Sequence, residues 1–334
     1  MPCMSCWPIW NNSYKNSSPS DIRVKSMDGI FNIDKAVGMT SHDVVARVRR
    51  LTRQKRVGHA GTLDPAASGV LPICLGQATR VAEYLSESGK AYRAVVILGA
   101  VTDTYDAEGE VLRSAPVDLT LDQIAAALPA FLGPQMQLPP LYSAIKLGGQ
   151  PLYKLARAGI EAERQARPVV LYRLDLLDWQ PPALTLDVEC SKGTYIRSLA
   201  YDLGERLGCG AHLGGLVRLR SGPFTLDDSL TLEELAGALE DGSWPNYLYA
   251  PDEALLDRMA VILGPASEKR LLLGQSLHVP APTSLHLSEE ESSTSEAPLL
   301  RAYSTDGRFL GILTWQPAIN AWHPQKVLNS VPVE

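Results

Sequence analysis

Cysteine is scarce in this 334-residue chain, and its five copies, an odd number, fall at irregular spacing. That pattern argues against a disulfide framework and fits a reducing, cytoplasmic compartment. No apolar run reaches the ~20 residues that span a bilayer, so a membrane helix is excluded and no membrane partner is expected. A Walker loop, a dinucleotide fingerprint and an H-E-x-x-H zinc motif are all missing. Nothing therefore points to a nucleotide, nicotinamide, flavin or metal cofactor, and none is expected. The one C-x-x-C, Cys3 to Cys6, has no second pair to complete a zinc site. The N-terminus lacks the apolar core and small-residue cleavage site of a secretory signal.

What is present supports a real core. Apolar residues make up 45% of the chain, and the length suits one large domain plus a small one. Residues 1–26, rich in Asn, Ser and Pro, are expected to be a disordered leader, with Met27 as a candidate start. The net charge of −6 gives a nucleic-acid partner no overall support, but charge is unevenly placed. Arg47, Arg49, Arg50, Arg53, Lys55 and Arg56 form a block free of acids, whereas Glu289, Glu290, Glu291 and Glu296 cluster in a Ser/Thr-rich stretch. A basic block is usually a solvated helix face. Here it leads into the most distinctive loop of the chain, which favours a role in tracking phosphates, together with Lys35.

Local patterns give a coarse map. Gly29 to Asp34 reads as a strand. A helix opens at Thr40–Asp43 with a hydroxyl followed three residues later by an acid, and Val44, Val45, Val48 and Leu51 mark its inner face. Val70–Leu75, Ala91–Gly99, Val169–Leu177, Leu184–Cys190 and Leu216–Leu219 read as strands. Ala78–Leu85, Leu121–Leu128, Leu152–Ala158 and a segment opening near Thr194 read as helices, and Thr231 with Glu234 forms a second capping box. Three prolines make Gly133–Pro140 a loop. The rhythm is not that of a doubly wound sheet; an α+β domain on a mixed, mostly antiparallel sheet fits better. From about Pro251, short apolar runs between Gly, Pro and Asp turns suggest a small β-rich unit, with Leu287–Glu296 as an acidic loop inside it.

The distinctive loop is Gly58-His59-Ala60-Gly61-Thr62-Leu63-Asp64-Pro65-Ala66-Ala67-Ser68-Gly69-Val70-Leu71. Its glycines allow tight turns and close approach to a ligand. Asp64, placed before a proline, is suited to act as nucleophile or base, although Asp-Pro and Gly are also ordinary turn residues. The loop resembles the catalytic motif of the TruB family of tRNA pseudouridine synthases. The resemblance continues through Lys90-Ala91-Tyr92-Arg93, Thr102 to Gly109, Pro139-Pro140-Leu141-Tyr142-Ser143-Ala144-Ile145-Lys146 and Cys190-Ser191-Lys192-Gly193-Thr194-Tyr195-Ile196-Arg197. It is strong from Gly29 to Phe224 and weaker beyond. One departure is Asp34-Lys35-Ala36, where such proteins carry Asp-Lys-Pro.

The resemblance implies an α+β pseudouridine synthase domain over 27–250, with an active cleft across the sheet, and an RNA-contacting PUA-like unit over 251–334. It implies isomerisation of uridine 55 in the T-arm of tRNA on a flipped-out base, without a cofactor. Asp64 matches the catalytic carboxylate, Arg197 the arginine that pairs with it, and Tyr92 the tyrosine that stacks on the target base and takes part in proton removal. Tyr195 and Leu219 match pocket positions, Asp106 a polar contact near the base, and His59 the side chain that fills the gap left by the flipped nucleotide. The acidic balance and the insert around Pro139–Gly159 favour stand-alone action, as a monomer with no obligatory protein partner. Competing readings are a non-catalytic RNA-binding or RNA-folding protein on this scaffold, a guide-dependent synthase subunit, and a hydrolase using Asp64. The last lacks a metal-binding acid pair or an oxyanion motif. A chain begun at Met27 is expected to retain activity in a pseudouridine-formation assay; loss of activity on truncation would count against a dispensable leader.

Overall fold

The computed structural model describes residues 27–143, 145–147, 149–152, 163–279 and 298–328. The leader, the acidic loop and all but the first residue of the helix expected over Leu152–Ala158 lie outside the described residues. The strands are Gly29–Lys35 (β1), Val57–His59 (β2), Ala67–Leu75 (β3), Lys90–Leu98 (β4), Ala100–Thr102 (β5), Val111–Ser114 (β6), Gly133–Gln137 (β7), Lys146–Leu147 (β8), Gln150–Pro151 (β9), Arg167–Gln180 (β10), Ala183–Cys190 (β11), Ala211–Ser221 (β12), Phe224–Thr225 (β13), Leu248–Tyr249 (β14), Met259–Leu263 (β15), Leu299–Ser304 (β16), Phe309–Gln316 (β17) and Ala321–Val327 (β18). The α-helices are Ser41–Thr52 (α1), Ala82–Glu87 (α2), Leu121–Ala127 (α3), Ile196–Leu207 (α4), Leu232–Asp241 (α5) and Pro265–Leu272 (α6).

The main sheet runs β14-β1-β3-β12-β4-β11-β10-β7, with β2 beside β3 and β13 beside β12. Only the β3–β12 pair is parallel, so the sheet is mixed and mostly antiparallel, as expected. Helix α1 starts where the sequence places it. Thr40 and Asp43 cap each other reciprocally, Val44, Val45 and Val48 are buried, and the arginines face solvent. The same reciprocal cap opens α5 at Thr231 and Glu234. Along β4, Tyr92 turns inward while Arg93 faces out and pairs with Asp187 at 2.9 Å. Leu98, Leu184, Leu186, Leu199 and Leu203 build the core between this sheet and α4.

Three local expectations change. Gly133–Gln137 is a strand, not a loop: it is the sheet edge, where Pro134 opposite Val170 removes no ladder bond that matters. The helix expected over Ala78–Leu85 is a 3-10 turn, Gly76–Arg80, followed by α2; Asp28 accepts from the Gln77 amide at 2.6 Å and fixes that turn. The strand at Leu216–Leu219 extends over Ala211–Ser221, because Gly214 and Gly215 absorb a register shift against β4.

A separate four-stranded sheet, β15-β16-β17-β18, packs with α6 around Leu263, Leu271, Leu300, Leu313 and Trp322. It is the expected small β-rich C-terminal unit. It docks on α2 and the turn before it: Lys326 pairs with Glu83 at 2.8 Å, Tyr84 donates to Gln325 at 3.0 Å, and Arg80 donates to the Val327 carbonyl. Ile312 completes the apolar side of this contact with Ile30, Leu85 and Leu255.

Gly69 fixes the parallel pairing that carries the candidate site. Its φ is +101°, and a Cβ there would lie 2.3 Å from the Arg218 carbonyl oxygen. Both the close approach and the left-handed backbone exclude a side chain. Gly69→Ala is expected to destabilise the fold by on the order of 3 kcal/mol, read as a lower urea midpoint at unchanged slope.

Candidate active site

The loop between β2 and β3 is held from below by buried polar side chains. Ser41, the first residue of α1, donates its hydroxyl to the Leu63 carbonyl at 3.1 Å and accepts from the Leu63 amide at 2.9 Å. Lys35, at the end of β1, donates to the carbonyls of Ala36, Met39 and Pro65 at 2.9, 2.8 and 3.4 Å. Arg218 on β12 donates from Nε to the Val70 carbonyl at 2.6 Å and from its terminal nitrogens to Thr62 at 3.3 Å and Gly61 at 3.0 Å. The backbone on both sides of Asp64 is thereby fixed.

Asp64 is paired with Arg197 at 2.9 Å; the arginine side chain is 7% exposed and the aspartate 46%. The cation is buried while the carboxylate faces solvent. Arg197 also pairs with Asp106 at 3.3 Å and donates to the carbonyls of Tyr142 at 2.9 Å and Thr104 at 3.4 Å. One guanidinium thus joins four segments that are far apart in sequence. Asp106 serves its own loop as well: its Oδ1 accepts from the Thr104 hydroxyl at 2.6 Å and from the Glu108 amide at 3.1 Å. Tyr105, immediately before it, takes a left-handed backbone with φ 63° and stacks on Tyr201 at 4.2 Å.

Tyr92 lies directly across the sheet from Arg218. Burial raises its phenol pKa, while the positive charge of Arg218 pulls the other way; Asp64 is close enough to add to the rise. Tyr195 ends the loop before α4. Its amide donates to Gln137 Oε1 at 2.8 Å and its carbonyl accepts from Gln137 Nε2 at 3.1 Å. Burial raises its phenol too, and the charge of Asp64 adds to this. His59, on β2, packs edge-to-face on His42 with ring centroids 5.4 Å apart. Burial, then His42 and Arg218, lower its pKa, which favours a neutral ring. The exposed basic residues Arg47, Arg49, Arg50, Arg53, Lys55 and Arg56 lie between these two histidines in sequence.

The structure brings Asp64, Arg197, Asp106, Tyr92, Tyr195 and His59 to one region, and two expected residues sit otherwise. Lys35 is fully buried, with its ammonium surrounded by loop carbonyls, so it is unavailable to a phosphate; burial lowers its pKa. Leu219 occupies the bulge between Arg218 and Arg220, where its carbonyl accepts from Leu226 at 2.9 Å. The leucine that alternates with Arg218 along β12, opposite Ala94, is Leu216.

Comparison with known proteins gives this arrangement a family. Residues 49–196 match the N-terminal domain model of the TruB family of pseudouridylate synthases, and residues 197–259 match the C-terminal domain model of tRNA pseudouridylate synthase B. The chain is 43% identical over 306 residues to tRNA pseudouridine synthase B of Dehalococcoides mccartyi, covering 91% of this chain and 97% of that one. It is 51% identical over 252 residues to the protein of the same name from Symbiobacterium thermophilum, covering 74% and 82%. The chain belongs to the TruB family of pseudouridine synthases. As a TruB-family chain it is an isomerase. Among solved structures, a chain of a Cbf5–Nop10–Gar1 complex is similar at 26% identity, with a TM-score of 0.68, covering 90% of this chain and 84% of that one. A chain of an H/ACA RNP bound to a substrate RNA containing 2′-deoxyuridine is similar at 25% identity and a TM-score of 0.67, covering 90% and 84%.

Sequence reasoning missed Ser41, Arg218 and Gln137 in this TruB-family site. Ser41 reads only as the residue after a cap. Arg218 alternates with apolar neighbours as a surface arginine would, and Gln137 sits in a stretch read as loop. Ser41→Ala leaves the buried amide and carbonyl of Leu63 without their partner, at a cost of about 1–3 kcal/mol. Thermal denaturation checks this as a lower Tm.

Proposed function

We propose that this chain isomerises uridine to pseudouridine at position 55 in the T-arm of tRNA, with Asp64 as the nucleophile on a flipped-out base. The observation that carries the reading is the Asp64–Arg197 pair, an accessible carboxylate on a buried cation. Relatives that are 43–51% identical and named tRNA pseudouridine synthase B support tRNA as the substrate. They also favour a monomer acting in the cytoplasm without an obligatory protein partner over an assembly of the kind the two solved structures represent.

The reaction breaks the bond from ribose C1′ to N1, turns the base and joins C1′ to C5. The C5 proton leaves and N1 gains one, so no atom is gained overall and no electron acceptor is needed. Arg197 holds the carboxylate of Asp64 in place through the 2.9 Å ion pair while a base displaces the water around it. Tyr92 offers a ring face to the base and an oxygen to the C5 proton. Asp106 and Tyr195 supply polar and apolar contacts to the extruded nucleotide. His59, neutral and half-buried beside His42, stacks in the space that the base vacates, a contact worth on the order of 1–3 kcal/mol. The exposed arginines of α1 and the turn after it track the phosphates, and the C-terminal unit over 251–334, PUA-like in its small β architecture, adds a second RNA contact.

Asp64→Asn in the purified chain is expected to lower pseudouridine formation on a T-arm transcript by at least about three orders of magnitude. tRNA affinity in the same variant should stay within a fewfold of the wild type. A variant that keeps its activity sinks the nucleophile assignment. With all six basic side chains on phosphates, wild-type affinity falls roughly a thousandfold between 50 and 200 mM salt; a flat titration removes them from the interface.

A further inference from the structure

Arg218 is 1% exposed; it donates to the carbonyls of Gly61, Thr62 and Val70, and it stands opposite Tyr92 in the β12–β4 pair. A buried guanidinium without a carboxylate partner is costly to keep. If apolar packing were all that mattered, an apolar side chain of similar volume would serve this position better. The contacts show what the charge does there. Two carbonyls, Gly61 and Thr62, lie just before Asp64 in the loop, and the third, Val70, lies in β3 beyond it. The tyrosine opposite, in register across β12 and β4, is the one to which the proposed function gives the C5 proton. One rigid planar fork therefore fixes the backbone around Asp64 from the strand position opposite Tyr92.

We propose that Arg218 is a positioning residue for the isomerisation, fixing the Tyr92 oxygen relative to Asp64 and stabilising its phenolate form before it takes up the C5 proton. The inference rests on the role given to Tyr92 above. The Tyr92 phenol first gives its proton to water; when the C5–H bond then breaks, its electron pair returns to the ring and the C5 proton passes to that oxygen. The phenol is thereby restored, and water supplies the proton gained by N1. Burial disfavours the phenolate, and the guanidinium beside it opposes that effect. A neutral or poorly placed side chain at 218 leaves tRNA binding in place and slows the proton step.

The test uses single-turnover rates on a T-arm transcript carrying uridine or 5-deuterouridine at the target. Arg218→Met and Arg218→Lys are compared with the wild type, with melting curves and tRNA affinities recorded alongside. Arg218→Lys keeps a charge that can reach the carbonyls and serves as the test if the Met variant does not fold. The expected result for Lys is affinity within about twofold and a rate roughly 10- to 100-fold lower, part of the 10²–10⁴ that a positioned acid–base group contributes. The deuterium effect should be larger than in the wild type, with Met slower again where it folds. An isotope effect equal to the wild-type value, with a rate loss that only follows the folded fraction, overturns the inference and leaves the function standing. A wild-type chain that makes no pseudouridine on any tRNA overturns the function and this inference together.

Discussion

The site depends on where a single buried guanidinium can be satisfied. Arg197 lies in the first turn of α4, at the positive end of the helix dipole, which is an unfavourable place for a cation. Two carboxylates offset that disadvantage. Asp64 comes from the loop before β3 and Asp106 from the turn after β5. The start of α4 cannot drift, because Gln137 bonds both the amide and the carbonyl of Tyr195, and Ser198 donates to the Leu138 carbonyl at 2.7 Å. The geometry around Asp64 thus traces back to the edge strand β7.

Beneath the loop, charge is arranged the other way round. Lys35, Arg218 and Lys90 are all buried cations. Each takes up backbone carbonyls, Lys90 those of Leu85, Ser86 and Ser88 at the end of α2. Burial lowers the pKa of all three, Lys90 to about 8. Such groups do not favour stability for their own sake. Together they form a positive floor beneath the loop, and the charge of Asp64 acts on Lys35 in the opposite direction to burial.

Much of this was legible in the sequence, and the parts that were not share a cause. Local codes read well. The Thr40–Asp43 and Thr231–Glu234 caps, the valine face of α1 and the alternation of Tyr92 and Arg93 each depend on residues within four positions of one another. The family motifs brought Asp64, Tyr92, Asp106 and Arg197 into one list before any geometry was known. Burial of a cation is not a local code. Lys35 reads as an available charge because nothing nearby in sequence shows that the carbonyls of Ala36, Met39 and Pro65 will close around it. Leu219 and Leu216 cannot be told apart until the bulge at 219 fixes which positions of β12 alternate with Arg218. Pro134 reads as a breaker because the sequence does not show that its strand is at the sheet edge.

The division between rigid support and open reactive group has a consequence for the kind of substrate the site can take. Asp64 is nearly half exposed, while everything that holds it is buried. A small-molecule enzyme usually encloses its substrate and needs a cavity to do so. Here a cavity of about 810 Å³ lies between α2 and the C-terminal unit, lined by Tyr84, Lys192, Arg220 and Asp257 and not by Asp64. An open carboxylate on a fixed frame is instead suited to a large, folded partner that brings its own apolar surface. In the function proposed above, an extruded base covering the loop would displace water from the carboxylate while the bond to Arg197 stays in place. Desolvation then strengthens an interaction that is already formed, and the frame needs no rearrangement at the moment of reaction.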